Sequence, residues 1–173
     1  MTLVIPKQCL RYTELHRPGG DYARDIAADW RMIEPYLPPS VGSILDIGSG
    51  MCGVDVYLRR KYPAARLELL DGDGETPFYG FGPECTAYGN RSAAEALLAA
   101  NGAGKVDRWH DIGTREVLQA DLVISLLAWG FHFPLAAYTV RGFCIADLYR
   151  GQEKGRGKVI WKAKYSDRCA FTC

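Results

Sequence analysis

The sequence lacks three features that would each assign a chain to a broad class of proteins. It has no long hydrophobic run: the apolar start, residues 1–5, ends at Pro6 and Lys7, too short for a signal peptide or a membrane span. It has no excess of one charge, since 21 Lys and Arg face 20 Asp and Glu. Its six cysteines include no Cys-x-x-Cys pair, and no His-x-x-x-His accompanies them, so their spacing predicts neither a zinc site nor a disulfide framework.

These absences lead to several expectations. The protein is expected in the cytoplasm, without a membrane and without a metal ion. A net charge of +1 does not favour tight binding to a nucleic-acid backbone, although a local basic patch at residues 150–158 leaves nucleic-acid contact open. The oligomeric state also stays open. A length of 173 residues suits one core and not two comfortable domains, so we expect a single domain, 1–173, in which cofactor and substrate share one crevice.

Hydrophobic spacing predicts helices alternating with strands. Tyr22, Ile26, Trp30 and Ile33 recur at helical steps before Pro38, which predicts a helical cap over residues 1–39 ahead of an α/β core over 40–173. Further helices are expected at 54–61 and 92–100, the second with a Ser92–Glu95 capping box and a stop at Asn101-Gly102. Strands are expected at 41–46, 67–70, 106–109, 122–127 and 143–148.

This alternation predicts an α/β fold with a single doubly wound, mostly parallel sheet and helices on both faces. A short helical turn is expected near 135–140. Residues 158–165 and 169–173 are interpreted as a C-terminal antiparallel hairpin, an edge that could pair with another chain. The Gly-, Pro- and aromatic-rich segment 75–89 is interpreted as a long loop.

The segment Gly48-Ser49-Gly50-Met51-Cys52-Gly53 fits Gly-x-Gly-x-x-Gly between a strand and a helix. This pattern alone would also suit a nicotinamide dinucleotide. Asp46 just ahead of it changes the balance, because a carboxylate there repels a pyrophosphate and attracts the cationic methionine end of S-adenosylmethionine. Asp71, at the end of the second strand, can accept hydrogen bonds from both ribose hydroxyls, a role that Asp73 could exchange with it.

The segment Ile44-Leu45-Asp46-Ile47-Gly48-Ser49-Gly50 resembles motif I of the class I S-adenosylmethionine-dependent methyltransferases. Asp71 matches the acidic residue on that family's second strand, and the segment 121–125 matches its fourth-strand motif. The resemblance covers 41–148 and departs at Cys52, where many members have a third glycine; we expect Gly53 to compensate one place later. It implies a Rossmann-like fold, S-adenosylmethionine as cofactor, and a cofactor site formed by Asp46, Gly48, Ser49, Gly50, Gly53, Asp71, Gly72, Asp111, Ile112 and Leu127.

The methyl acceptor is then expected at the end of the fourth strand, in residues 128–134. His132 is the candidate base for a hydroxyl, and a histidine packed inertly among aromatic rings is the competing interpretation. Trp129 is equally suited to substrate stacking and to the core. Tyr79, Tyr88 and Asn90 are candidate walls of the acceptor pocket.

The acceptor chemistry is narrowed by one absence. The segment lacks the Asn/Asp-Pro-Pro-Tyr/Phe motif of enzymes that methylate nucleic-acid amino groups, and it is loosely similar to that of sugar or small-molecule O-methyltransferases. We therefore expect a small-molecule or sugar hydroxyl, or an amine, as the acceptor. Two alternatives stay open: a catalytically inactive module that binds S-adenosylmethionine, and an NAD-dependent oxidoreductase.

Overall fold

The computed structural model describes residues 2–17, 19–77, 86–129, 135–148, 159–162 and 168–172. Its α-helices are α1 (Leu10–His16), α2 (Tyr22–Ile33), α3 (Gly53–Lys61) and α4 (Arg91–Ala100), with 3-10 turns at Lys7–Cys9, Glu34–Tyr36 and Leu135–Ala137. Its strands are β1 (Ser43–Ile47), β2 (Arg66–Leu70), β3 (Gly74–Pro77), β4 (Thr86–Gly89), β5 (Arg108–His110), β6 (Val117–Ser125), β7 (Thr139–Asp147), β8 (Val159–Lys162) and β9 (Arg168–Thr172).

Seven strands form one sheet in the order β5-β2-β1-β6-β7-β9-β8. The pairs among β5, β2, β1, β6 and β7 are all parallel, which confirms the predicted α/β class and its mostly parallel sheet. At the other edge β9 pairs antiparallel with both β7 and β8. The turn that would join β8 to β9 lies outside the described residues, so the hairpin as a unit stays a prediction.

One face of the sheet is covered by α-helices. Ile44, Leu67 and Ile124 contribute to a core that also contains Ile33 of α2 and Leu58 of α3. The predicted N-terminal helix is confirmed, and its spaced apolar residues are buried. Trp30 of α2 stacks on Tyr57 of α3 with ring centroids 5.4 Å apart. The helical cap is thus packed on the helix that follows the glycine turn.

The opposite face differs from the expectation of helices on both sides. Its core includes Leu45, Val123, Trp129 and Tyr138, and among the described residues only the turn Leu135–Ala137 is helical there. The connection from β5 to β6 is residues 111–116, which is shorter than the dozen or more residues that a helical crossover usually needs. This short connection is one reason why the described residues place no α-helix on this face.

Three local expectations were wrong. The expected loop 75–89 contains the antiparallel pair β3–β4; its residues 78–85 lie outside the described part. Helix α4 is capped by Asn90, whose Oδ1 accepts from the Ala93 amide at 2.8 Å, and not by the exposed Ser92. Cys144 is disulfide-bonded, which the cysteine spacing did not predict. The stop at Asn101-Gly102 is confirmed by Gly102 at φ +67°.

Within the described ranges no helix combines the length and apolar character that crossing a bilayer requires.

Because Asn90 and not Ser92 caps α4, substitutions at these two residues should have unequal effects on stability. Asn90→Ala removes the oxygen that accepts from Ala93 and the amide that donates to the Tyr12 hydroxyl at 3.0 Å. We expect it to lower the free energy of unfolding by about 0.5–2 kcal/mol. Ser92→Ala, as the matched control, should change it by no more than about 0.5 kcal/mol. Urea unfolding measures the loss of stability in both variants. A greater loss for Ser92→Ala would show that Ser92 caps the helix, as the capping box predicts.

Candidate functional site

The topology places the candidate site above the carboxyl ends of β1 and β6. From β1 the chain proceeds outward to β2 and β5 on one side, then returns to β6 and β7 on the other. Parallel sheets bind ligands in the crevice where the strand order reverses in this way. The turn after β1 and the loops after β2, β5 and β6 therefore meet at one edge, as expected.

The glycine turn is shaped by a close contact with the loop after β6. Gly48 has φ +76°, and a Cβ built on it would lie 2.1 Å from the Cβ of Ala128. Only glycine fits there, because that separation is far below van der Waals contact. The turn and the start of the expected acceptor loop are thus packed directly together.

The departure at Cys52 has a different explanation from the one expected. Cys52 itself adopts the left-handed conformation, with φ 58°, so Gly53 does not take over a third glycine's backbone role. Gly53 is instead confined by α2: a Cβ there would lie 2.6 Å from the Tyr22 hydroxyl and 2.8 Å from Cγ1 of Ile26. The helical cap, and not the turn, therefore excludes a side chain at Gly53.

The amide groups of the turn are largely bonded within the protein. The Gly48 amide donates to the Leu70 carbonyl at 2.7 Å and the Cys52 amide to the Ser49 carbonyl at 2.8 Å. The Gly50 amide donates to Oδ2 of Asp71 at 2.5 Å. The Gly53 amide donates to the Tyr22 hydroxyl oxygen. Few N–H groups of this turn are therefore available to an anion.

Two carboxyl groups lie buried together at this turn. Asp46 at the end of β1 is 5% exposed and Asp55 in the first turn of α3 is 0% exposed. Burial, followed by the neighbouring Asp55, raises the pKa of Asp46, and burial also raises the pKa of Asp55. Among described residues no group donates a hydrogen bond in good geometry to Oδ1 of Asp46 or to either Asp55 oxygen. A hydrogen bond between the two carboxyls needs a proton on one of them. The raised pKa values and the lack of other donors both agree with such a shared proton.

Asp71 lies at the end of β2, where it was expected. Its Oδ2 accepts from Gly50 and its Oδ1 from the Gly72 amide at 2.7 Å. Burial raises its pKa, and the two amides partly oppose that shift. Two carboxylate oxygens offer about four acceptor sites, so about two remain for a ligand. Asp73 accepts from the Arg91 amide at 3.2 Å, which gives it a different role from Asp71.

Arg91, which the sequence did not single out, organises the edge beside Asp71. Its guanidinium bonds Oδ1 of Asp111 at 2.5 Å and the Asp71 carbonyl at 3.3 Å, and it lies 5.2 Å from the centroid of the Trp109 ring. Asp111, expected near the adenine, is thus ion-paired across the ends of β2 and β5. The Ile112 side chain packs against the core of the loop-covered face.

The end of β6 is held in an unusual backbone conformation. Leu127, an expected cofactor contact, has φ 60°, and its amide donates to Oδ2 of the buried Asp147 at 2.9 Å. A bulky residue seldom adopts this conformation unless its surroundings enforce it. Trp129 is 1% exposed and donates from Nε1 to the Leu135 carbonyl at 3.1 Å, a position that favours the core interpretation over stacking.

The other expected acceptor-site residues are placed less directly. His132 and Tyr79 lie outside the described residues. Tyr88 belongs to β4, and only its backbone is described. Asn90 caps α4 and bonds Tyr12 of α1, so both ends of its amide are engaged in structure. Their expected roles at the acceptor stay predictions.

Two histidines have partners that the sequence did not reveal. Nε2 of the buried His110 lies 2.7 Å from Oε2 of Glu68 on the neighbouring strand. His16 lies against the glycine turn, because a Cβ on Gly50 would come within 2.7 Å of its Cε1. The contact joins residues 34 positions apart, so no local pattern signals it. Asp55 could have been noticed, as an acid among the apolar residues of the helix after the turn.

The fold can be compared with solved structures. No protein-family model matches the sequence, and no similar curated protein is found. Coclaurine N-methyltransferase bound to N-methylheliamine and SAH matches 82% of this chain and 43% of its own, with a TM-score of 0.50 and 13% identity. Weaker matches include the StiE O-MT (TM-score 0.49, 14% identity, 83% and 52%) and the O-methyltransferase TomG from Streptomyces achromogenes in complex with SAM (0.44, 16%, 84% and 66%).

At this level of identity the comparison shows the fold. Taken with the strand order, the match to coclaurine N-methyltransferase shows that the chain has the fold of the class I methyltransferases. The chain spans about half the length of the compared structures.

Because Gly48 lies against Ala128, replacing it with alanine should destabilise the fold more than the same change at a glycine without a close neighbour. Gly104 has φ +77° with nothing within 4 Å of a built Cβ, so it matches Gly48 in backbone but not in surroundings. Gly104→Ala should lower the free energy of unfolding by about 1–2 kcal/mol, for the conformation alone. Gly48→Ala should lower it by a further amount of about 1–3 kcal/mol for the overlap. Equal losses in urea unfolding would contradict the described packing of the turn.

Proposed function

We propose that the chain is an S-adenosylmethionine-dependent methyltransferase whose acceptor is a small-molecule or sugar hydroxyl, or an amine. One observation carries this proposal: a buried pair of carboxyls lies at a turn whose amides are mostly bonded within the protein. Such a turn favours a ligand with a cationic end.

The same observation opposes the dinucleotide alternative. Glycine turns that hold a pyrophosphate point free backbone N–H groups at it. Here the amides of Gly48, Gly50 and Cys52 already have acceptors, and Asp46 adds repulsion if it is ionised. NAD would therefore meet neither the donors nor the field that its phosphates need.

The described residues fit the proposed cofactor on each side. Asp46 would take the ammonium of the methionine end, with Ser49 beside it. Asp71, with Gly72 next to it in the chain, retains acceptor capacity for the ribose hydroxyls. The adenine would lie toward Asp111, Ile112 and Leu127. When bound, S-adenosylmethionine supplies an electrophilic methyl group on a sulfonium sulfur.

The chain's own contribution is alignment, exclusion of water and, for a hydroxyl acceptor, removal of a proton. Methyl transfer is an in-line displacement, which depends strongly on the distance and angle between the reactants. Ala128, the first residue of the segment 128–134, packs against Gly48, and His132 belongs to the same segment. We assign His132 the role of general base, because its ordinary pKa lies close to neutral pH.

A catalytically inactive module that binds S-adenosylmethionine is the second candidate. The observation in its favour is that two of the expected acceptor contacts serve the protein's own structure: Trp129 lies in the core and Asn90 caps α4. Such a module would keep the cofactor contacts of the turn and lack a completed acceptor pocket. Measurements of binding and of methyl transfer together separate the two candidates.

Ligand binding tests the choice of cofactor. S-adenosylhomocysteine at about 100 times its Kd should stabilise the fold by about 2.7 kcal/mol, which raises Tm by roughly 5–10 °C for a chain of this size. NAD at the same concentration should leave Tm unchanged. A shift with NAD alone would overturn the assignment.

Activity tests the base. A screen with a radiolabelled methyl donor over sugars, nucleotides, DNA, RNA and protein extracts should identify the acceptor. For a hydroxyl acceptor, His132→Ala should lower kcat/KM by about 10²–10⁴-fold and remove the acidic limb of its pH profile, while S-adenosylhomocysteine still shifts Tm. Unchanged turnover at every pH would exclude His132 as the base. Binding without methyl transfer to any acceptor would favour the inactive module.

A further inference from the structure

Asp55 is a buried acid to which the proposed function gives no role of its own, because the ammonium group is assigned to Asp46. It is 0% exposed on the first turn of α3, and its carboxyl faces that of Asp46. Burying one carboxylate without a partner is already costly, and burying two in contact is more so. A purely structural function would be served better by an apolar residue or an amide.

In the part of the chain that the structure describes, no basic side chain forms an ion pair with either carboxyl. Among the residues that the structure describes, neither Asp46 nor Asp55 has a Lys, Arg or His within ion-pair distance. Arg59, one turn along α3, lowers the pKa of Asp55 only from a distance. Its guanidinium is bonded to the Ala65 carbonyl, to the Lys105 carbonyl at 2.6 Å and to Asp107 at 2.9 Å.

The other titratable groups around the pair strengthen the demand for a positive charge. Asp71, from the end of β2, raises the pKa of Asp46, and the Cys52 thiol of the turn has its own pKa raised by burial and by Asp55. From α2, the Tyr22 hydroxyl has a pKa raised by burial and then by Cys52, opposed slightly by Arg17. Asp71, Cys52 and Tyr22 therefore offer the pair no positive charge, and His16 packs on the same turn at Gly50.

We propose that Asp46 and Asp55 together form the subsite for the ammonium group of the cofactor, and that binding of this group expels a proton that the two carboxyls share. The proposal rests on the proposed function and adds Asp55 as a residue that determines specificity. It accounts for the Asp46 Oδ1 and both Asp55 oxygens, to which no described group donates a hydrogen bond in good geometry, although the Cys52 thiol and the Asp55 amide lie close enough to lower the pKa of Asp55.

The exchange balances in charge and in protons. Without ligand, one proton lies between the two carboxyls, and the pair carries one negative charge. An ammonium group brings one positive charge and N–H donors for the oxygens, so both carboxyls can then ionise. The proton passes to the solvent, no covalent bond of the cofactor changes, and the two carboxylates with the ammonium group carry a net charge of −1.

Proton release measured by isothermal titration calorimetry tests this proposal. S-adenosylhomocysteine is titrated at several pH values in buffers of different ionisation enthalpy. Below the pKa of the pair we expect release of close to one proton per ligand and an affinity that rises by up to about tenfold per pH unit. Methylthioadenosine, which keeps the nucleoside and lacks the ammonium group, should bind without proton release.

Two substitutions supply the variant and its control. Asp55→Asn should move the proton release and the pH dependence of the affinity to lower pH, because only burial and Asp71 then raise the pKa of Asp46. Asp21→Asn removes the same charge from the exposed cap of α2 and keeps an oxygen able to accept from the Arg24 amide, so it should behave as the wild type. If S-adenosylhomocysteine binds the wild type without proton release at any pH, the proposal is overturned while the proposed function stands.

The ligand-free protein gives a readout that does not depend on the cofactor. Both carboxyls have a pKa raised in the folded state, so their stabilising contribution is present at low pH and is lost as the pH rises through that pKa. As the pH rises through this pKa, the free energy of unfolding of the wild type should therefore fall relative to that of Asp55→Asn. Parallel pH curves of the two would refute the shared proton. No binding of S-adenosylhomocysteine at any pH would instead refute the proposed function.

Discussion

A carboxyl group buried at a tight backbone turn requires either a proton or a positive partner, and this requirement governs the arrangement at the carboxyl end of the sheet. Asp46 and Asp55 face each other out of contact with solvent, and Asp71 accepts from the same turn. Because most of the surrounding amides are bonded within the protein, the site presents acceptors where a phosphate-binding turn presents donors. The proposed preference for a cationic ligand is therefore electrostatic.

The site depends on contacts between segments far apart in the chain. Ala128 packs on Gly48, His16 packs on Gly50, and Tyr22 packs on Gly53. On the other side of the crevice, Arg91 joins the ends of β2 and β5, and Asp147 holds the Leu127 amide after β6. The glycines are thus required less for a motif than for the close approach of α1, α2 and the loop after β6.

Local pattern predicted the fold well where burial follows from periodicity. The helix Tyr22–Ile33, the strand Ser43–Ile47 and the mostly apolar end of β6 follow directly from the spacing of apolar residues. The errors have physical causes. Asn90 was overlooked as a cap because Ser92 fits a familiar capping pattern, and Cys52 takes a left-handed conformation that its residue type disfavours.

For the candidate site, the sequence predicted Asp46, Gly48 and Asp71, since these lie at or just after the ends of strands. It did not identify His16, Arg91 or the partner of His110, because those contacts depend on tertiary packing. Trp129 shows the limit most clearly: an aromatic residue in the expected acceptor loop is equally suited to binding and to a core, and only its burial favours the core.

The most direct measurement of the central claim is a crystal structure of the complex with S-adenosylhomocysteine. The account predicts the amino nitrogen of the ligand within hydrogen-bonding distance, about 2.7–3.2 Å, of a carboxyl oxygen of Asp46 or Asp55, with the Gly48 and Gly50 amides still bonded to Leu70 and Asp71. An amino group turned to solvent, with those amides redirected to the ligand, would contradict it.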